Sequence, residues 1–307
     1  MSSIMKKIIA WIIRHTLKPA LSPKVSLKWQ RRASDLASNI LIGPSGYTTQ
    51  KLYVDQIPVL HIQPKVVKKG LAVLYLHGGG YVVGSAKSHC KLAAHLGDAL
   101  NAEVWLPEYR LAPEHPCPAA IQDATHIYQW LLTNGHHPDQ LIIIGDSAGG
   151  GLTLSTAITL REAGLPLPAA LVLLSPWVNL TLSASSITSH ASRDAMLSQE
   201  WLSWCAAQYS QGMAPHVADC SPVYAKLEGL PPTLIHVGTE ELLLDDAKHI
   251  TQKLKNANVY CELHIYDQVG HVFQFHAGIL KESNQSIREI AEFAKQYLNK
   301  NQEKHIQ

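Results

Sequence analysis

The chain has 307 residues, 46% of them hydrophobic, with 26 Lys and Arg against 24 Asp and Glu for a formal charge of +2. That balance excludes a disordered chain, which needs low hydrophobicity and high net charge, and it offers no basic footprint for nucleic acid. Charged residues make up only 16%, below the usual value of about 25%, so either much of the surface is neutral or the buried fraction is high.

Residues 4–18 read IMKKIIAWIIRHTLK. Ile4, Met5, Ile8, Ile9, Ile12 and Ile13 fall on one helical face, and Lys7, Arg14 and Lys18 fall on the other. This is a basic amphipathic helix. Two uses stay open for it: packing of its apolar face on the rest of the protein, or weak contact with a membrane surface. Arg14 interrupts the apolar core and no small-residue cleavage site follows, which argues against secretion. A helical pattern continues over 24–41 and stops at Gly43-Pro44. Alternation over 47–62 with a turn at Asp55-Gln56 predicts a hairpin.

Six apolar runs follow, at 71–76, 102–106, 141–145, 170–174, 233–237 and 261–266. Most are continuous, as in parallel strands covered on both faces. Helical stretches near 87–100, 119–133, 149–163, 246–256 and 283–299 separate them. Alternation of strand and helix predicts a doubly wound α/β fold. One interval, 178–230, lacks a clear strand and reads as an insertion over a site. No apolar run is long enough to span a bilayer. Cys90, Cys117, Cys205, Cys220 and Cys261 form no Cys-x-x-Cys pair. Neither a zinc module nor a disulfide framework is indicated, and a reducing, cytoplasmic compartment is expected, with peripheral membrane contact open.

Two motifs carry chemistry. His77-Gly78-Gly79-Gly80 follows the run at 71–76. Glycines let a loop bring its N–H groups close to a developing oxyanion, so Gly78 and Gly79 are expected donors, with Ala148 as the third. His77 reads as a structural anchor of that loop. Further on, Leu141–Gly151 reads LIIIGDSAGGG. Gly145 and Gly149 bracket Ser147 at minus two and plus two, between a strand and a helix. This is the G-x-S-x-G elbow of a nucleophilic serine. A phosphate loop is the rival, but no Gly-Lys-Ser/Thr follows.

HGGG at 77–80 with GDSAGG at 145–150 resembles the hormone-sensitive-lipase-like family of α/β-hydrolases. YRLAPEHPCPAAIQDA (109–124), SPWVNLT (175–181) and SPVYAKLEGLPPTLIHVG (221–238) are similar to further segments of that family. The resemblance spans about 40–300. It implies an α/β-hydrolase fold with a mostly parallel eight-stranded sheet, a single domain over 1–307 and a helical cap from about 1–42 and 178–230. It implies a carboxylesterase acting on short- to medium-chain acyl esters, a small-molecule substrate and no metal or cofactor. Chain order is Ser, acid, His. Matching from Gly238 puts Glu241 at the acid position, where the family usually has Asp; Asp245 is the rival. Glu240 and Asp246 read as solvated charges. His271, after Gly270 on the loop that follows the last strand, matches the base; His264 and His276 read as packing or surface residues. Tyr81, Trp177 and Trp201 are candidate pocket walls. An interfacial lipase on longer chains is the alternative, and a non-catalytic receptor is disfavoured because serine, acid and histidine are all present. A second subunit is a further candidate partner for an apolar surface patch.

Overall fold

The computed structural model describes residues 2–300. The chain opens with α1 (Ser2–Ala20) and α2 (Leu27–Ala37), followed by the hairpin β1 (Thr48–Val54) and β2 (Ile57–Gln63). Next come β3 (Ala72–Leu76), α3 (Ala86–Leu100), β4 (Glu103–Pro107), α4 (Ala119–Thr133), β5 (Leu141–Asp146), α5 (Ala148–Glu162) and β6 (Ala170–Leu174). Two helices, α6 (Ser186–Ser189) and α7 (Gln199–Tyr209), precede β7 (Thr233–Gly238), α8 (Leu244–Asn256), β8 (Cys261–Tyr266) and α9 (Lys281–Lys300). The eight strands form one sheet in the order β1-β2-β4-β3-β5-β6-β7-β8. Pairing is antiparallel from β1 to β4 across β2, and parallel from β4 through β8.

Every residue of β3, β5, β6 and β7 is buried, because helices cover both faces. Alternation along the strands divides the core in two. Leu74, Leu76, Ile143, Leu171, Leu173 and Ile235 pack with Ile121, Ile127 and Leu131 of α4 and Leu152 of α5. Val73, Tyr75, Ile142, Ile144, Val172 and Leu234 pack on the other side with Leu92 and Leu96 of α3 and Ile290 and Phe293 of α9. The low charged fraction has this cause: four central parallel strands with no wet face.

The expected single apolar face of the first helix divides into two. Ile9 and Ile13 turn inward toward cavities, and Leu17 packs on the core. Ile4, Ile8 and Trp11 turn outward and stay exposed, while Ile12 is exposed at the edge of a cavity. Apolar residues simply cover more than one stripe of this helix. The two segments flanking the cavity mouth are tied together at 193–194. Arg14 donates to the Arg193 carbonyl at 2.9 Å and Lys18 to the Asp194 carbonyl at 2.7 Å. Deeper in, Gln30 of α2 is fully buried and accepts from the Trp201 indole of α7 at 2.8 Å. Its amide donates to the carbonyls of Ser22 and Val25 at 2.9 and 2.8 Å.

Candidate active site

The candidate residues all follow carboxyl ends of parallel strands. His77 follows β3, Ser147 follows β5, Ser175 follows β6, Glu241 lies just past β7 and His271 past β8. Neighbouring strands thereby deliver residues far apart in sequence to one end of the sheet.

Ser147 takes φ 53° and ψ −122°, a region that costs a residue with a side chain about 1–3 kcal/mol. The surrounding packing enforces it. A methyl group on Gly145 would strike the Gly149 carbonyl, and one on Gly149 would strike the Leu76 carbonyl. Ser147 lines a cavity that His271 also lines. Its hydroxyl makes no hydrogen bond to another described residue.

His271 Nδ1 lies 2.8 Å from Glu241 Oε2, and both side chains are buried. The ring donates there, which leaves Nε2 as the acceptor. The other carboxylate oxygen of Glu241 accepts from the Gly238 amide at 2.6 Å and the Ser175 hydroxyl at 2.9 Å. Burial pulls the His271 pKa down, but the hydrogen bond and charge of Glu241, with Asp194 and Asp146 behind, leave it above the ordinary value. Asp245 lies elsewhere: it accepts from the Ser186 amide and pairs with Lys248. Glu240 pairs at the surface with Arg193. Asp246, expected to be solvated, is buried at the first turn of α8 and accepts from the amides of Val178 and Asn179 at 3.2 and 3.1 Å. Burial raises its pKa to about 7.

The glycine loop differs in one respect from expectation. Gly78 donates its N–H to Asp146 Oδ1 at 3.0 Å, so that amide is already committed. Among the described residues the amides of Gly79, Gly80 and Ala148 donate to no other group. Gly79 has φ +119°, which a side chain would resist. Asp146 also accepts from the Tyr75 hydroxyl at 2.7 Å and pairs with His89 at 3.3 Å. Burial opposes its ionisation, yet His89 and Tyr75 hold its pKa below the usual range. His77 is fully buried, donates Nδ1–H to the Gly78 carbonyl at 2.8 Å and stacks on Tyr109. Burial beside His89 brings its pKa to about 3, so it is a neutral anchor of the loop.

The cavity wall is mainly aliphatic, with Ile12, Ile13, Leu17, Leu41, Val83 and Leu197. Trp201 lines it. Tyr81 and Trp177 do not. Tyr81 is buried face to face on Tyr209, with ring centroids 3.7 Å apart, and the Trp177 indole donates to the Asn179 carbonyl. Both are core aromatics. His276, expected as packing or surface, sits on the cavity wall, where desolvation pulls its pKa to about 4.

Sequence reasoning passed over three residues. Ser175 bridges Glu241 and the Val272 amide, the latter at 3.1 Å. Asp194 accepts from the amides of Met196, Leu197 and Leu242, all within 2.9 Å. Gln30 anchors Trp201. The segment SPWVNLT carried a signal for Ser175 alone; Asp194 and Gln30 sit in no motif.

Away from this cavity, ligand atoms of His236, His264 and Glu289 lie within 4.8 Å of one another. The two imidazoles stack with centroids 5.0 Å apart and planes 16° from parallel, so their lone pairs run side by side instead of converging on one ion. His236 Nδ1 already bonds to Ser286 at 2.7 Å and His264 Nδ1 to Glu289 at 2.8 Å. These residues do not fit a metal.

A serine on a strained turn after a central parallel strand, sharing a cavity with an acid-paired histidine, is the arrangement of an α/β hydrolase. The family model described as alpha/beta hydrolase fold matches residues 73–275. An acetyl-hydrolase of Streptomyces hygroscopicus is 40% identical over 224 residues, which is 73% of this chain and 75% of that one. An esterase from the bacterial hormone-sensitive lipase family has a crystal structure that superposes with a TM-score of 0.93 at 37% identity, covering 97% of this chain and 100% of that one. The crystal structure of EstE5 soaked with p-nitrophenyl butyrate gives a TM-score of 0.90 at 34% identity, covering 95% and 98%. The chain belongs to the alpha/beta hydrolase fold family, among the esterases of hormone-sensitive lipase type.

Proposed function

We propose that the protein hydrolyses carboxylic esters of short to medium acyl chain through an acyl-enzyme on Ser147. Residues 2–42 and 178–230 serve as one cap over the reaction. As Ser147 Oγ attacks the ester carbonyl, His271 Nε2 takes its proton, while Glu241 fixes the tautomer and stabilises the imidazolium. The carbonyl electron pair moves onto oxygen, which accepts hydrogen bonds from the amides of Gly79, Gly80 and Ala148 at the start of α5. Collapse of that intermediate breaks the C–O bond, and His271 gives its proton to the departing alcohol. Water, deprotonated by His271, then attacks the acyl-enzyme and releases the acid.

The observation that carries this reading is the 2.8 Å contact between buried Glu241 and His271 beside strained Ser147 on one cavity. The aliphatic wall suits an acyl chain, and the butyrate ester soaked into EstE5 supports a short one. Hydrolysis of p-nitrophenyl butyrate and palmitate tests it. Butyrate should give the higher kcat/KM, and Ser147→Ala should lower kcat by roughly 10⁶-fold while the protein still unfolds in one cooperative transition. Turnover retained by Ser147→Ala would defeat the assignment of the nucleophile. Preference for palmitate would instead favour an interfacial lipase, the second reading, which the exposed apolar side chains of α1 support.

A further inference from the structure

The outward face of the cap is apolar where a soluble surface is normally polar. On α1, Ile4 is 67% exposed, Ile8 46% and Trp11 62%. On α2 and the turn after it, Trp29, Leu36 and Ile40 are exposed as well. Spacings of four and three residues in the first set, and of seven and four in the second, keep each set on one side. The two sets reach the cavity mouth, since Ile12 and Ile40 are both exposed and both line the cavity that holds Ser147.

Charge says what covers this face. Residues 1–42 hold eight Lys and Arg and one acid, Asp35, which leaves 18 basic and 23 acidic residues for the rest of the chain. A molecule that is nearly neutral as a whole is therefore strongly cationic over its first 42 residues and anionic over the rest. Lys7, Arg14, Lys24, Lys28 and Arg32 are exposed, and Arg32 lies over the Trp29 ring, 5.3 Å from its centroid. A second copy placed face to face would set two cationic surfaces against each other. A bilayer with anionic headgroups offers apolar depth for the side chains and negative charge for the flanking cations. Tryptophan is the residue that favours that boundary. No described helix is long and apolar enough to cross a membrane, so α1 would lie in the surface plane.

We propose that the outer face of α1 and α2 docks the protein on an anionic lipid surface, with Trp11 and Trp29 in the interface and the cavity mouth turned toward the lipid. Binding is read without turnover, so its failure leaves the esterase reading intact.

The experiment is sedimentation of the whole chain with vesicles of phosphatidylcholine, alone or with about one-third phosphatidylglycerol, at about 0.1 M and about 0.5 M salt. Expected is at least tenfold stronger partition onto the anionic vesicles, weakened by salt. Trp11→Ala with Trp29→Ala, and separately Lys28→Glu with Arg32→Glu, should each cut partition about tenfold or more. Both variants should keep their hydrolysis of p-nitrophenyl butyrate in solution, which reports that they fold. Equal binding to both vesicle types, no binding to either, or unchanged binding by either double variant overturns the proposal. So does a dimer in sedimentation equilibrium that the tryptophan variant dissociates, because the face would then belong to a second copy.

Discussion

Ser175 holds the Glu241 carboxylate from the side opposite His271, donating its hydroxyl to Oε1 at 2.9 Å while accepting from the Val272 amide at 3.1 Å. One hydroxyl thus fastens both the acid and the residue next to the base.

Ser175→Ala should strand the Val272 amide and leave Glu241 Oε1 with the Gly238 amide alone. A buried group left unpaired costs about 1–3 kcal/mol. The expected outcome is a loss of stability of that size in urea titration and a roughly tenfold lower kcat with little change in KM. A variant with unaltered kcat would mean that Gly238 alone suffices to hold Glu241.

The pH profile should report His271. Glu241 and the charges behind it keep its pKa above the usual histidine value of about 6.5 despite burial. The base works only when neutral, so kcat/KM should climb with pH through an apparent pKa above that value. Glu241→Gln removes the main raising influence and leaves desolvation, so the acid limb should move to lower pH as kcat falls by orders of magnitude, in the manner of an Asp→Asn triad change worth about 10⁴. An acid limb that does not move would place the titration elsewhere.

Asp146→Asn keeps the shape behind Gly78 but removes the charge facing His89. Removing one partner from a buried pair costs about 3–5 kcal/mol. Because its folded pKa is depressed, Asp146 stabilises the protein fully above the unfolded carboxylate value of about 4 and loses that effect as pH falls through the lower folded pKa. Urea unfolding should therefore separate variant and parent near pH 7 and bring them together in acid. A constant gap across pH would contradict the ionised state assigned to Asp146.

Gln30→Leu should loosen α1 and α2 without touching the sheet. It removes one acceptor from Trp201 and two donations to the 22–25 turn. Limited proteolysis should cut within 2–41 sooner than in the parent, and KM for the butyrate ester should rise several-fold with kcat less affected. Equal protease resistance would show α1 and α2 to be held without the hydrogen bonds of Gln30.

The parallel sheet was legible because continuous apolar runs between helices admit few other folds. Ser147 was legible for a steric reason: glycine is demanded on both sides of a strained turn, and that demand is written into the spacing. Glu241 and His271 were reached only by matching family segments, because the order serine, acid, histidine alone leaves Asp245 as a rival to Glu241. What stayed hidden depended on direction. Gly78 and Gly79 are neighbours of identical type, but only the first faces Asp146. Tyr81 follows the glycine loop directly, yet its ring turns to Tyr209 and away from the cavity. Asp246 looked like a surface charge because nothing in its neighbours marks the Val178 and Asn179 amides that it meets across the fold. Helix α1, apolar on two sides, presents a pattern from which one side alone is read.

Arg14 and Lys18 grip the main chain of 193–194 through carbonyl oxygens, not side chains. Every residue type offers a carbonyl. The tie between α1 and the 193–194 segment therefore places its demand on the helix alone, and position 193 stays open to substitution as far as this tie is concerned. Such a one-sided clasp tolerates a change of side chain at 193 while the helix keeps its hold.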